Sequence, residues 1–258
     1  MKRVRRQDDS LMPEGRERVF AFWAGELGLS VTGLLTPNVG VRVSVNPEVP
    51  GVLIFSRGRD VRICASRTKG EEIGSRICDA VWEDFCSPVF WRNTFPELCE
   101  SCVGPVLHFY RDAIPNDWMT AMCGPRLLVR ELSEDDIQPI GEFTETLSPS
   151  EIEASGLDDF ERPLWGAFTH GALVAIASFD EWPNRFAHIG VATRPDYRGQ
   201  RFAQAAVRGA TRAAVARKRV VQMQCPADNG AAVGLAASLG YECFATTLLI
   251  HSPYGFAR

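Results

Sequence analysis

Long hydrophobic runs are missing from this chain. No apolar stretch approaches the ~20 residues that a membrane helix requires, so no spanning segment is expected. The start, Met1-Lys2-Arg3-Val4-Arg5-Arg6-Gln7-Asp8-Asp9, is basic but has no apolar h-region, which excludes a signal peptide and reads as a short tail. An excess of positive charge is missing too. The formal net charge is -4 and the pI about 5.7, and no basic patch is interleaved with aromatics, so a nucleic-acid partner fits poorly and none is expected. The eight cysteines (64, 78, 86, 99, 102, 123, 225, 243) lack the spacing of a small secreted disulfide framework. Most sit in apolar segments, as in Ile63-Cys64-Ala65, and read as reduced thiols of a cytoplasmic protein. Cys99-x-x-Cys102 has the form of a zinc or redox pair. No second C-x-x-C and no H-x-x-x-H answers it, so no metal is expected. What remains is ordinary: 258 residues, 45% hydrophobic, enough for two domains of about 120 to 130 residues with real cores.

The informative region runs from Phe186 to Tyr241. Phe186-Ala187-His188-Ile189-Gly190-Val191-Ala192-Thr193 is apolar and stops at Arg194-Pro195-Asp196, so it reads as a buried strand ending in a turn. The loop Arg198-Gly199-Gln200-Arg201-Phe202-Ala203 follows, then an alanine-rich helix, roughly Gln204 to Lys218. Backbone N–H groups at a helix start, with the helix dipole behind them, make an anion site suited to a diphosphate. A strand at Val220–Cys225, then Asn229, then a helix ending in Leu239-Gly240-Tyr241 complete the order.

This stretch resembles the acetyl-CoA loop of the GNAT superfamily of N-acetyltransferases, whose pattern is Q/R-x-x-G-x-G/A. Arg198 takes the first position and Ala203 the last, while Arg201 stands where glycine is usual. The downstream part is similar to the family's N-x-x-(S/A)…L-G-F/Y segment. The resemblance covers about residues 126–258 and implies an α/β fold with a mixed sheet. Arg126–Leu132 is expected as its first strand, followed by a helix capped by Ser133-x-x-Asp136, a short helix from Ser150, a hairpin of Leu164–Thr169 and Ala172–Phe179 about His170-Gly171, and a final strand at Glu242–Ile250.

The N-terminal part, 1–120, reads as a divergent GNAT-like or mixed α/β lobe. A helix near Glu14–Leu27 precedes strands at Val41–Val45, Gly51–Ser56 and Val61–Ser66, and a helix from about Glu71 to Phe85. At the strand-to-helix junction, Arg67-Thr68-Lys69-Gly70-Glu71-Glu72 has the arginine and first glycine of the loop pattern. Two carboxylates at that helix start would repel a diphosphate, so this lobe is expected to hold no cofactor. The boundary is placed at Asp112–Pro125, where Pro115-Asn116-Asp117 and Cys123-Gly124-Pro125 interrupt the pattern.

Charge is segregated along the chain. Arg194 to Arg219 holds eight Arg/Lys and one acid, Asp196, which suits a phosphate-rich cofactor. Glu131 to Glu161 holds eleven Asp/Glu and no Arg/Lys. In GNAT enzymes the first two helices wall the acceptor side, so this segment points to a cationic amine; solvated helix faces are the plain alternative.

On the resemblance, the main chain of Val191 and Thr193 would meet the pantetheine and polarise the acetyl carbonyl. The amides of Arg198, Gly199, Gln200, Arg201, Phe202 and Ala203 would hold the diphosphate, and Asn229 would reach the pantetheine arm. Each has a structural alternative: Val191 as core, Asn229 as a helix N-cap. Arg201 is compatible with helical φ and offers a guanidinium to a phosphate. The family's thiolate acid, a tyrosine four residues before the L-G-F/Y glycine, falls on Ala236, leaving that proton to solvent or the product amine. His188 occupies a common glutamate position and can take the amine proton at neutral pH, with the rate expected to rise through a pKa in the neutral region. Strand periodicity puts it on the face opposite Ile189 and Val191. Asp180 and Glu181 are the next candidate bases.

The resemblance implies a cytoplasmic acyltransferase moving an acetyl group from acetyl-CoA to the primary amine of a small cationic molecule. The I-G-V-x-T-x-P-D-Y-R-G wording is similar to bacterial GNAT proteins with an extra N-terminal region, a group that includes self-resistance enzymes of the zwittermicin type. A protein or peptide amine is the alternative acceptor. A non-catalytic acyl-CoA-binding regulatory module is the alternative class; it would bind CoA yet release no thiol with any amine. Oligomeric state stays open, a homodimer included.

Overall fold

In the computed structural model, the described residues are 10–36, 40–47, 49, 51–77, 80–118, 127–157, 162–182 and 185–251. Tail residues 1–9, Cys78, Cys123 with the rest of the 119–126 boundary stretch, and the acids Asp158, Asp159 and Glu161 lie outside them. In chain order the elements are α1 (Pro13–Glu26), α2 (Val31–Leu35), β1 (Gly40–Val45), β2 (Val52–Arg57), β3 (Asp60–Ala65), α3 (Arg67–Arg76), α4 (Pro88–Thr94) and β4 (Ser101–Arg111). Then come β5 (Leu128–Glu131), α5 (Ile137–Thr144), α6 (Pro149–Ser155), β6 (Leu164–Thr169), β7 (Ala172–Trp182), β8 (Phe186–Thr193), α7 (Phe202–Ala216), β9 (Val220–Pro226), α8 (Gly230–Ser238) and β10 (Glu242–His251). Both helices and strands are abundant, as the expected α/β mixed-sheet class requires.

The chain forms two compact units whose segments alternate along the sequence. The first holds residues 10–12, Tyr110–Gln224 and Gly234–Glu242; the second holds Pro13–Phe109, Cys225–Val233 and 243–251. The sequence reading instead places its two parts end to end, at 1–120 and 126–258.

The first unit follows the order expected for its region: strand, two helices, three antiparallel strands, helix, strand. Its sheet runs β9-β8-β7-β6-β5, with β8 and β9 parallel and the other neighbours antiparallel. The β6–β7 hairpin turns on His170 and Gly171, both at positive φ, the geometry of a two-residue hairpin turn. Asp136 accepts from Ser133 N at 2.9 Å, the cap expected ahead of α5. The second helix starts at Pro149 and is capped by Ser148, whose Oγ accepts from Glu151 N, rather than starting at Ser150. Helix α5 and the segments that follow α5 and α6 cover one face of the sheet through Ile140, Phe143, Leu147 and Leu157, which pack with Leu173, Ile176 and Ala192. On α7, Ala205, Ala206, Gly209, Ala210 and Ala214 are buried. Small side chains let this helix lie close to its sheet: a Cβ on Gly209 would stand 2.6 Å from the Trp165 ring.

The second unit has the strand order β1-β3-β2-β10-β4, with β1 and β3 parallel. Its core gathers Ile54, Ile63, Ile73, Phe85, Trp91, Phe95 and Ile250, all fully buried. Helix α3 begins at Arg67, directly after Ser66, and not near Glu71. Glu71 and Glu72 therefore stand in its second turn, and Glu72 pairs with Arg76 at 3.3 Å. The expected repulsion at the helix start is not the relevant physics. What this junction has is one residue between β3 and α3, too little chain for a loop of open amides.

Candidate active site

The site is built around β8. Its register with β7 pairs Trp182 with Phe186, Asp180 with His188, Ser178 with Gly190 and Ile176 with Ala192. Arg194 N donates to Val174 O at 3.0 Å, continuing the ladder past the strand end. In an antiparallel pair, hydrogen-bonded and non-hydrogen-bonded residues alternate. The even-numbered residues of β8 thus turn their backbone groups to β7, and Ile189, Val191 and Thr193 turn theirs to the opposite edge. On that edge the register with β9 ends at His188↔Gln222. Among the described residues, no strand pairs with β8 beyond this point. The N–H and C=O of Val191 are on an open sheet edge. The Thr193 carbonyl is already occupied, accepting from Arg198 Nε at 3.2 Å.

After β8, a short 3₁₀ turn (Pro195–Tyr197) leads into the loop. Gly199 is at φ +73°, and a Cβ there would meet nothing within 4 Å. The helix begins at Phe202, and its first outward bond is Ala205 N to Arg201 O at 3.2 Å. Among the described residues, the N–H groups of Gly199, Gln200, Arg201, Phe202, Ala203 and Gln204 meet no protein acceptor. Six amides beside an exposed glycine, at the start of a 15-residue helix, suit an anion with several oxygens.

Arg201 differs from its expected conformation. It is not helical: φ is +69° and ψ 12°, the left-handed region. This explains why the GNAT pattern carries glycine at that position, since a Cβ in the left-handed region costs about 1–2 kcal/mol. The Arg201 side chain is exposed and has no protein partner among the described residues. Arg198 is committed elsewhere, reaching from the loop to Glu151 on α6 at 2.5 Å. Arg217 and Arg219 are committed as well, both to Glu181.

The candidate bases divide between the two faces of the sheet. His188 and Asp180 lie opposite each other on the face that carries Ser178 and Gly190, where α6 packs. Ser178 Oγ donates to Ser155 O at 3.1 Å there, and a Cβ on Gly190 would sit 1.9 Å from that same carbonyl. Glu181 points to the other face and is held by its two arginines, so the structure does not bring it together with His188. The sequence reading missed Trp182, whose ring stacks on His188 with centroids 5.1 Å apart and planes 16° from parallel. Trp182 Nε1 donates to Asp180 Oδ2 at 3.0 Å, and Arg162 stands 3.8 Å from the same oxygen. Burial pushes the half-buried His188 imidazole below its ordinary value; Asp180 pulls it back up and Arg162 lowers it further. His188 Nδ1 is buried without a hydrogen-bond partner among the described residues. A neutral imidazole follows, able to accept a proton at pH 7. The only sequence signal for the Trp182 contact was its parity with Asp180 on β7, two residues away.

Asn229 belongs to the second unit, where its Oδ1 accepts from Ala232 N at 3.1 Å; the capping role is the one on view. Ala236 is fully buried on α8. Tyr241 cannot replace the missing acid, because burial raises its hydroxyl far above the ordinary range and Thr211 Oγ1 is 2.6 Å from it. Arg111 also went unread in the sequence. Its Nη1 donates to the Leu239 and Gly240 carbonyls at 2.7 and 2.6 Å, fixing the end of α8. Of the eight described acids between Glu131 and Glu153, Asp136 is taken by Arg130 and Glu151 by Arg198, and the other six are exposed. Among the described residues, no group of three His, Cys, Asp or Glu is placed to hold a metal ion, and no helix is long and apolar enough to cross a membrane.

Residues 128–241 match the Acetyltransferase (GNAT) family. No curated protein matches the chain. Among solved structures it is similar to an acetyltransferase from the GNAT family of Colwellia psychrerythraea (14% identity, TM-score 0.45, covering 58% of this chain and 56% of that one). It is similar also to a GCN5-related N-acetyltransferase from Kribbella flavida (17%, 0.44, 63% and 63%) and a GCN5-related N-acetyltransferase-like protein from Streptococcus suis (14%, 0.45, 70% and 74%). The chain thus spans little more than half of the first of these. It carries a GNAT acetyltransferase domain at residues 128–241. The matched range stops short of the N-terminal half, so likeness to the two-part bacterial type rests on sequence wording alone.

Proposed function

We propose that the chain is an acetyl-CoA-dependent N-acetyltransferase whose acceptor is the primary amine of a small cationic molecule. The observation that carries this reading is the open edge of β8 at Val191, followed in sequence by six unpartnered amides at Gly199–Gln204. An extended amide-bearing arm fits the first and a diphosphate fits the second, which are the two halves of coenzyme A. Acetyl-CoA, when bound, supplies an acetyl group activated as a thioester.

The chain's own residues then have distinct tasks. The loop amides and the α7 dipole hold negative charge, and the Arg201 guanidinium adds a positive charge beside them. Val191 N–H offers a donor on the open edge. His188, neutral at pH 7, takes the proton that a protonated amine must lose before it can attack. Its position on the α6 face, with exposed Glu142 and Glu153 on the helices of that face and exposed Glu145 directly after α5, supports a cationic acceptor. No acid is supplied at Ala236, so solvent or the product amine protonates the leaving thiolate. A protein or peptide amine remains the alternative acceptor.

The test compares Gly199→Ala with Gly199→Glu. Both strain the same backbone position, and only the second puts a carboxylate beside the amides. Calorimetry should show acetyl-CoA binding weakened modestly by alanine and abolished by glutamate. Equal affinity in the two variants would remove the loop from the cofactor site.

A further inference from the structure

Cys99 and Cys102 are unused by the chemistry above. Their sulfurs are 3.1 Å apart, inside ordinary sulfur–sulfur contact and about 1 Å from the bonded length of ~2.05 Å. Both are half-buried, Cys99 in the connection after α4 and Cys102 as the second residue of β4, against the core that holds Trp91, Phe95 and Leu98. Glu100, between them, donates its N–H to His251 O at 3.0 Å, tying that connection to the end of β10. The remaining polar partners of a metal centre are absent among the described residues, which turns the pair from metal chemistry to redox chemistry.

We infer that Cys99 and Cys102 are a reversible dithiol–disulfide pair, oxidised by low-molecular-weight disulfides. The reaction balances in two exchanges. The Cys99 thiolate attacks one sulfur of the small disulfide, whose S–S bond breaks, and one small thiol leaves with a proton. The Cys102 sulfur then attacks Cys99, the Cys99–Cys102 bond forms, and the second small thiol leaves with the Cys102 proton. Two protein thiols are oxidised and one small disulfide is reduced to two thiols. Burial, and then the neighbouring Cys99, push the Cys102 thiol up to about 11. It is therefore held as the thiol, the state suited to the resolving partner of the pair. Closure would lock the Cys99–Cys102 turn to which β10 is bonded.

The test uses the full chain, fully reduced, then equilibrated in buffers of rising oxidised-to-reduced glutathione ratio. Free thiols are trapped with N-ethylmaleimide in denaturant, and the protein is weighed and digested with trypsin. The peptide Asn93–Arg111 contains Cys99 and Cys102 and no other cysteine. As the ratio rises, the protein should fall from eight maleimide adducts to six, the two lost from the eight cysteines both belonging to this peptide. The peptide should then be lighter by two hydrogens than its dithiol form. Cys102→Ser should stop after the first exchange and carry one glutathione on Cys99. The exposed Cys243, varied to Ser, should leave the Cys99–Cys102 bond in place, with adducts falling from seven to five. Eight adducts at every ratio would overturn the inference, as would losses mapping to Cys225 and Cys243. Wild-type protein that stops at a glutathione adduct on either residue would overturn it too.

Discussion

Replacing Arg201 by glycine separates two opposing contributions at one residue. The backbone there is left-handed, at φ +69°, a conformation that costs a residue with a Cβ about 1–2 kcal/mol. Glycine removes that cost but gives back ~0.5–1 kcal/mol of chain entropy. The net gain is about 0.5–1 kcal/mol, or roughly 1–4 °C in Tm for a chain of this size. The side chain pulls the other way on ligand affinity. An exposed guanidinium–phosphate pair is worth up to about 1 kcal/mol, so losing it should weaken acetyl-CoA about three- to fivefold. The assays are a thermal melt without ligand and calorimetry with it, plus a salt titration in which the wild-type advantage shrinks as the charge is screened. Arg201→Gly should therefore be the more stable protein and the poorer binder. A lower Tm would refute the backbone argument. Equal or tighter binding would refute the phosphate clasp and mark Arg201 as an impairment of the loop.

His188→Ala should lower kcat by about 10²–10⁴ while acetyl-CoA affinity stays near wild type in calorimetry; near-normal turnover would take the base role from His188. Because burial depresses the His188 pKa, the wild-type rate should rise with pH through a value below 6.5 and be level at neutral pH, a lower limb than the unperturbed residue would give. Asp180→Asn removes the charge that raises that pKa, so a pH–rate profile should move its acid limb further down; a limb that moves up would contradict the cause assigned here. With one residue between β3 and α3, that junction has no room for a phosphate loop, and calorimetry should give one CoA per chain; two would refute this.

The first unit was legible because its signals are local. The apolar run of β8, the turn at Pro195-Asp196 and the alanine-rich α7 each announce themselves within a few residues, and the strand period put His188 opposite Val191 correctly. β4 was missed since Gly104 and Pro105 interrupt the pattern of Ser101–Arg111, and α3 was placed late because its start, Arg67-Thr68-Lys69, carries no apolar signal. The site was legible only where a main-chain motif defines it. That Arg201 is left-handed, that Glu181 is occupied by Arg217 and Arg219, and that Trp182 covers His188 all depend on register and on residues distant in sequence. Asn229 shows how one residue can carry two readings: a family role and an N-cap share it, and the cap is the contact the structure displays.

The central claim is catalysis of acetyl transfer to a small cationic amine, and one measurement bears on it directly. Wild-type protein is incubated with acetyl-CoA and a panel of small polyamines, aminoglycoside-like amines, neutral amines and N-terminal peptides, and free CoA is separated by chromatography so that the protein's own thiols do not interfere. The account predicts CoA release that depends on a cationic small amine, saturates with it, and is lost in His188→Ala. Tight binding of acetyl-CoA with no CoA release for any amine would contradict it and leave a non-catalytic acyl-CoA-binding module.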